Sequence, residues 1–412
     1  MRFAFPLLLT AGAIFVPGGA ARDDRSASSG PLLAYSVDYR VGGVAGDGGI
    51  CATGPSGHSF RVTDPYEDAS PSWSPDGNRI AFTRYLDLGR PPARHNDISD
   101  IFVADAQGRH LRNLSAVSAD IGGNMNIDPA WSPDGTKVAF VGGWYGASIF
   151  IVNADESGGR SVRDFGYPTW PDSPSWSPDG RRLLFGVSGE IRGIDVDGSH
   201  EQTLVSSGFG GSWSPDGQRI AYLRVEQDST TSLIVANADG SAPKVIAENV
   251  GRSSGGPAWS PDGQWIAVAG SPGNTWGILL VRPDGTEPHL ARTGRLPVSA
   301  PAWRPAAPLP RNRRPCAIIG TRRADVLRGT NRGDLILGAR GNDTIYGLGG
   351  DDTISGGSGH DRLYGGPGRD LFGAQDGTRD QIFGGPGFDS AYYDKRDRLT
   401  SIELNEAAGG KP

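Results

Sequence analysis

Five copies of Trp-Ser-Pro-Asp-Gly, starting at Trp73, Trp131, Trp176, Trp213 and Trp259, constrain this chain more than any other feature. A sixth, eroded copy reads Trp303-Arg304-Pro305. An alanine or serine precedes each tryptophan, and an apolar run follows each glycine. Phe82, Phe140, Phe185, Tyr222 and Val268 hold matching places in those runs. Self-similarity at this period means a repeat architecture, in which each unit buries its apolar face against its neighbours.

The phrase is a strand end, a tight turn and a strand start. Proline presets one turn angle, and glycine takes the position that needs positive φ. Its Asp and Trp are therefore expected to be turn and packing devices. Third strands follow at 101–103, 149–152, 191–194, 233–235 and 278–281, and weaker fourth strands follow them. Gly 63, Pro 31 and only 21% charged residues suit many short strands joined by tight turns.

Four antiparallel strands in roughly 40 residues make one blade of a β-propeller. The expected fold is all-β: a six-bladed β-propeller over 32–304 followed by a C-terminal parallel β-roll. The first blade takes three strands from the N-terminal part. Its innermost strand comes from 299–304, which closes the ring and removes the exposed edges. The Trp-Ser-Pro-Asp-Gly turn followed by an Ile-Ala-Phe strand resembles the TolB-like propeller family. That resemblance implies the fold over 32–304 and a docking role in envelope complexes. It does not imply an activity, since one fold hosts many.

A second, strict period begins at Gly320. The units read GTRRADVLR, GTNRGDLIL, GARGNDTIY, GLGGDDTIS, GGSGHDRLY and GGPGRDLFG. Asp325, Asp334, Asp343, Asp352, Asp361 and Asp370 recur at nine-residue spacing, each followed two places later by a large apolar residue. The phase slips over 374–380, and one more unit ends in Asp389. This pattern resembles the Gly-Gly-x-Gly-x-Asp-x-apolar-x repeat of RTX-type calcium-binding proteins. The resemblance implies a β-roll whose aspartates stack two units apart and hold Ca2+ with backbone carbonyls. Asp325, Asp334, Asp343, Asp352, Asp361, Asp370 and Asp389 are the expected metal ligands. Calcium takes six to eight oxygen ligands at flexible geometry, and glycine lets carbonyls converge on the ion. Arg323 and Arg332 stand where glycine is expected in the first two units.

The domain plan is 1–21 signal peptide, 22–31 disordered lead, 32–304 propeller, 305–316 Pro/Arg-rich linker, 317–395 roll and 396–412 tail. The signal reading rests on Arg2, the apolar run 3–16 and small residues at Ala20 and Ala21. No later stretch has the ~18 apolar residues of a membrane helix. A secreted, extracellular or cell-surface location through a Sec route follows. Cys51 and Cys316 suit an oxidising compartment, and the ring closure allows them to pair. The net charge of −6 gives no basic footprint, which excludes nucleic acid as a partner.

No Gly-x-Ser-x-Gly elbow, His-Glu-x-x-His or phosphate loop is present. The six histidines are scattered without metal spacing. The longer propeller loops carry Tyr85, Trp144, Tyr145, Tyr167 and Trp170, an aromatic set suited to recognition on a rigid scaffold. The expected function is an exported, monomeric, non-enzymatic calcium-binding protein whose propeller docks an unknown protein or glycan. The alternative is a polysaccharide lyase or hydrolase working at the propeller channel, with Asp128 and Asp172, each just before a first strand, as its candidate acids.

Overall fold

A computed structural model of the protein describes residues 32–41, 44–53, 59–63, 68–86, 98–117, 125–143, 147–227, 229–250, 255–270, 277–293, 298–305 and 315–407. The leader (1–21), the lead (22–31), most of the linker, Trp144, Tyr145 and the end of the tail lie outside them.

Twenty-four antiparallel strands form the first architecture, as four sheets of four strands and one of eight. Each Trp-Ser-Pro-Asp-Gly turn joins the inner two strands of a blade, as expected. In the blade built on Asp68–Trp73, the Ser74 Oγ donates to Asp76 Oδ1 at 2.6 Å and accepts from the Arg79 amide at 2.9 Å. The same pair of bonds recurs at Ser132, Ser177, Ser214 and Ser260. Gly77, Gly135, Gly180, Gly217 and Gly263 all sit at φ between 66° and 70°, which is why glycine ends the phrase.

The ring closes through the first blade. Val298–Arg304 pairs antiparallel with Leu32–Val41 and becomes its innermost strand. The eight-stranded sheet is two neighbouring blades joined by one parallel bridge between Ser99 and Met125.

Tryptophans hold the seams between blades. The guanidiniums of Arg79, Arg182, Arg219 and Arg304 lie 4.5–5.0 Å from the ring centroids of Trp131, Trp213, Trp259 and Trp73. Each such cation–π contact contributes about 0.5–2 kcal/mol. At the other two seams the indole N–H reaches the preceding blade instead. Trp176 donates to the Ala130 carbonyl and Trp303 to the Ala258 carbonyl, both at 3.0 Å.

The second architecture is a parallel β-roll. Short strands alternate between a six-stranded sheet (318–319 to 404–407) and a five-stranded sheet (326–328 to 398–400). The strands at 398–400 and 404–407 continue the ladders past residue 395, where the sequence reading ended the roll. Ile336, Ile345, Ile354, Leu363, Phe372 and Ile382 point inward as one fully buried column. On the outer face of the five-stranded sheet, Tyr346, Tyr364 and Phe383 stack with centroids 5.0 and 4.7 Å apart, and Arg328 caps the stack.

Cys51 and Cys316 form a disulfide with Cα atoms 5.7 Å apart. Cys316 packs with Leu33, Tyr35, Val37 and Val298 at the ring closure, and its carbonyl accepts from the Arg61 guanidinium.

Candidate calcium centre

The repeated aspartates form two ladders, one along each edge of the roll. The backbone N–H of each donates to Oδ1 of the aspartate two units on. Asp325 binds Asp343 at 2.8 Å, Asp334 binds Asp352 at 2.8 Å, and Asp343 binds Asp361 at 2.7 Å. Asp352 then binds Asp370, and Asp370 binds Asp389, both at 2.9 Å. These pairs follow from a parallel roll in which successive units alternate between the two sheets, so that only alternate turns share an edge.

Oδ1 is thus satisfied inside the protein, and Oδ2 is not. The Oδ2 atoms of Asp343, Asp352, Asp361, Asp370, Asp380 and Asp389 are buried without a hydrogen-bond partner. A buried carboxylate oxygen without a donor is costly unless a cation or a proton neutralises it. The electrostatics agree. Burial, opposed by the amide of Asp334 and reinforced by neighbouring carboxylates, pushes Asp352 up to about 8. Burial likewise pushes Asp380 to about 8, Asp370 to about 7 and Asp361 to about 6. Asp343, Asp389 and Asp397 are raised in the same direction by the same first cause.

The turns add more oxygen. A Cβ on Gly359 would overlap the Gly341 carbonyl, and one on Gly368 would overlap the Gly350 carbonyl. Main-chain oxygens of successive turns therefore stack with no side chain between them. Among the described residues no three acidic, His or Cys side chains group closely enough to hold a metal by themselves. Any ion here has to draw on carbonyls as well as carboxylates. An all-oxygen, flexible, anionic site of that kind suits calcium and lacks the nitrogen or sulfur that softer metals prefer.

The first two units differ. In the first, the Thr321 amide and hydroxyl both donate to Asp325 Oδ2, at 2.6 and 2.8 Å. In the second, Thr330 gives Asp334 Oδ2 the same two bonds, at 2.7 and 2.8 Å.

Three residues of the ladders lie outside the expected set. Asp380 accepts from the Asp361 amide at 2.8 Å, Asp397 from the Asp380 amide at 2.9 Å, and Glu403 from the Asp389 amide at 2.7 Å. The glycine phase is lost at 374–380, yet the roll absorbs the slip as one extra residue per step. The usable signal was the apolar residue two places after the acid, Ile382 after Asp380 and Leu399 after Asp397.

The propeller candidates are dispersed. Tyr167 is 77% exposed, whereas Tyr85 and Trp170 are half-buried. Asp128 and Asp172 lie inside the first strands Met125–Trp131 and Pro171–Trp176, not before them as expected. Five of the six first strands have a bulge, and a residue there takes positive φ: Ser70, Asp128, Ser173, Gly210 and Ala300. Ahead of the sixth first strand, Ala258–Trp259, Gly255 also takes positive φ. The two carboxylates lace these bulges together. Asp128 accepts from the Ser70 Oγ at 2.7 Å and the Ser173 amide at 3.3 Å, and Asp172 accepts from the Gly210 amide at 3.3 Å. Burial, then the Asp128 charge, raises Asp172.

Comparison with known proteins separates the same two parts. The family model described as RTX calcium-binding nonapeptide repeat (4 copies) matches residues 319–354 and 337–372. The chain is 30% identical over 144 residues to the "Uncharacterized peptidase YuxL" of Bacillus subtilis, covering 34% of this chain and 20% of that protein. It is 33% identical over 120 residues to the "Protein TolB homolog" of Chlorobium luteolum, covering 28% of this chain and 23% of that protein. The chain therefore spans a quarter or less of the length of these relatives. Among solved structures, TolB from Acinetobacter baumannii superposes with a TM-score of 0.54 at 20% identity, covering 67% of each chain.

Proposed function

From a chain that carries RTX-type calcium-binding repeats behind a TolB-like propeller, we propose an exported interaction protein whose roll is completed by calcium. The observation that carries this reading is the row of six buried carboxylate oxygens without donors. Asp343, Asp352, Asp361, Asp370, Asp380 and Asp389 would hold the ions together with turn carbonyls. Calcium supplies positive charge where the bare roll stacks negative charge, and so couples binding to folding. The RTX repeats, the disulfide and the apolar leader all support a route out of the cytoplasm.

The propeller is the docking part, and it acts without catalysis. Tyr167 and its loop face offer an exposed aromatic for a protein or glycan. The calcium test is calorimetric titration of the full, metal-stripped chain with CaCl2. Saturable binding that a chelator reverses is expected; no heat and no retained ion would sink the proposal. Export is tested by N-terminal sequencing of protein recovered outside the cell, which should begin just after Ala20 or Ala21.

A second reading keeps an enzyme at the channel, favoured by the raised Asp172 carboxyl beside Asp128. It requires hydrolase or lyase activity that Asp172→Asn abolishes. The bonds from Ser70, Ser173 and Gly210 argue instead that these acids hold the bulges in place.

A further inference from the structure

Resting on the calcium reading above, we infer that the calcium sites of this roll begin at its third unit, and that Thr321 and Thr330 close the first two turns in the metal's place.

Three independent features separate the turns. The first is the partner of Oδ2. Asp325 and Asp334 each receive two donors from a threonine four residues earlier. From Asp343 to Asp389 the equivalent oxygen is buried and has none. The second feature is backbone shape. In later units the residue at the threonine position enters the left-handed region: Ala339 at φ 81°, Leu348 at 83°, Gly357 at 84°, Gly366 at 109° and Gly385 at 117°. Alanine and leucine adopt such angles at a cost of order 1–3 kcal/mol, which the site must offset. Thr321 and Thr330 are absent from the positive-φ residues, and their amides turn inward to the carboxylate instead. The third feature is the position two residues further on. Gly341, Gly350, Gly359, Gly368 and Gly387 all take positive φ, whereas Arg323 and Arg332 occupy the equivalent places in the first two units and do not.

Chemistry connects the three. A carboxylate oxygen that accepts an N–H and an O–H is already neutralised locally and has little left to offer an ion. A turn that keeps an arginine where its neighbours have a left-handed glycine does not present its carbonyls in the same way. The two self-closed turns lie next to Cys316, where the roll is tied to the propeller. The roll therefore has a proximal part that is complete without metal and a distal part that is not.

The test uses the full chain and counts bound calcium by native mass spectrometry. The double variant Asp325→Asn, Asp334→Asn keeps an oxygen to accept from each threonine and removes only charge; it should retain the wild-type number of ions. The double variant Asp352→Asn, Asp361→Asn should bind fewer. Hydrogen exchange of the unaltered protein gives a reading free of mutants. In chelator the Thr321 and Thr330 amides should stay protected, while the Asp352, Asp361 and Asp370 amides should exchange until calcium is restored. Equal loss of ions from both variants, or exchange of the two threonine amides at the distal rate, overturns the division while leaving calcium binding intact. A wild-type chain that retains no calcium removes both the division and the reading it rests on.

Discussion

Aspartate closes the turns of both halves of this molecule, with opposite electrostatic results. In the propeller, Asp76, Asp134, Asp179, Asp216 and Asp262 sit at exposed turns, each accepting from the serine two residues earlier and from an amide two residues later. All five are held below the ordinary value, with the serine hydroxyl the first cause, and Asp134 falls to about 2. In the roll, Asp343, Asp352, Asp361, Asp370, Asp380 and Asp389 are buried, leave Oδ2 without a donor, and are pushed upward by that burial. Hydrogen-bond donors supplied within a turn make an aspartate self-sufficient; stacking turns on one another without supplying donors makes it dependent on an outside charge.

The largest test of that contrast is removal of calcium. In chelator the distal roll strands should lose hydrogen-exchange protection while the propeller strands keep theirs. Each filled site stabilises the folded roll by about 2.7 kcal/mol at calcium 100-fold above its Kd. Equal loss in both halves would mean that they do not fold independently.

Acid should act on the metal-free halves in opposite directions. Raised carboxyls stabilise the fold when protonated, so their contribution is complete below the ordinary 3.8 and is lost as pH rises through about 6 to about 8. The stripped roll should therefore melt at a higher temperature at pH ~5 than at pH ~8.5. The propeller aspartates are lowered, so their contribution is present above 3.8 and is lost as pH falls toward about 2. Differential scanning calorimetry of the chelated chain reads both; a roll that loses stability between those two pH values on acidification would contradict the burial argument.

Glycine substitutions sharpen the comparison at smaller scale. Gly359→Ala sets a Cβ against the Gly341 carbonyl at φ 137°, and should cost about 1–3 kcal/mol with weaker calcium binding. Gly263→Ala at φ 66° meets nothing nearer than Pro215 at 3.8 Å, so about 1 kcal/mol is expected and calcium binding should not change. Chemical denaturation with and without calcium separates the two. The smallest effect is Ser214→Ala, which removes the donor to Asp216 at 2.5 Å and the acceptor for the Arg219 amide at 2.9 Å. A loss of about 1 kcal/mol confined to the propeller melt is expected.

Much of this architecture was legible because both halves are periodic. The Trp-Ser-Pro-Asp-Gly spacing gave the blades, and the strand at 299–304 could be assigned to the first blade because that blade had no phrase of its own. The nine-residue spacing located the aspartates, and the resemblance to RTX-type repeats implied their pairing two units apart. Features that depend on contacts across the period were hidden. The arginine over each of four tryptophans comes from the preceding blade, as with Arg304 over Trp73, far apart in sequence. Asp380 was passed over because the glycine phase slipped although its apolar partner did not. Thr321 and Thr330 stand where later units have alanine, leucine or glycine, and only the direction of their hydroxyls gives them a role. Asp128 and Asp172 carried no sign of the bulges they bind.

The bond between Cys51 and Cys316 spans 265 residues of chain, nearly the whole propeller. Together they make a covalent loop from which the roll hangs. A protease that cuts once anywhere between the two cysteines, the Pro/Arg-rich stretch included, severs the backbone without separating the products. Such a nicked molecule keeps its full mass on a non-reducing gel and divides only when a reductant is added. Release of the roll by proteolysis therefore requires a cut after Cys316, or a cut between the two cysteines together with a reductant.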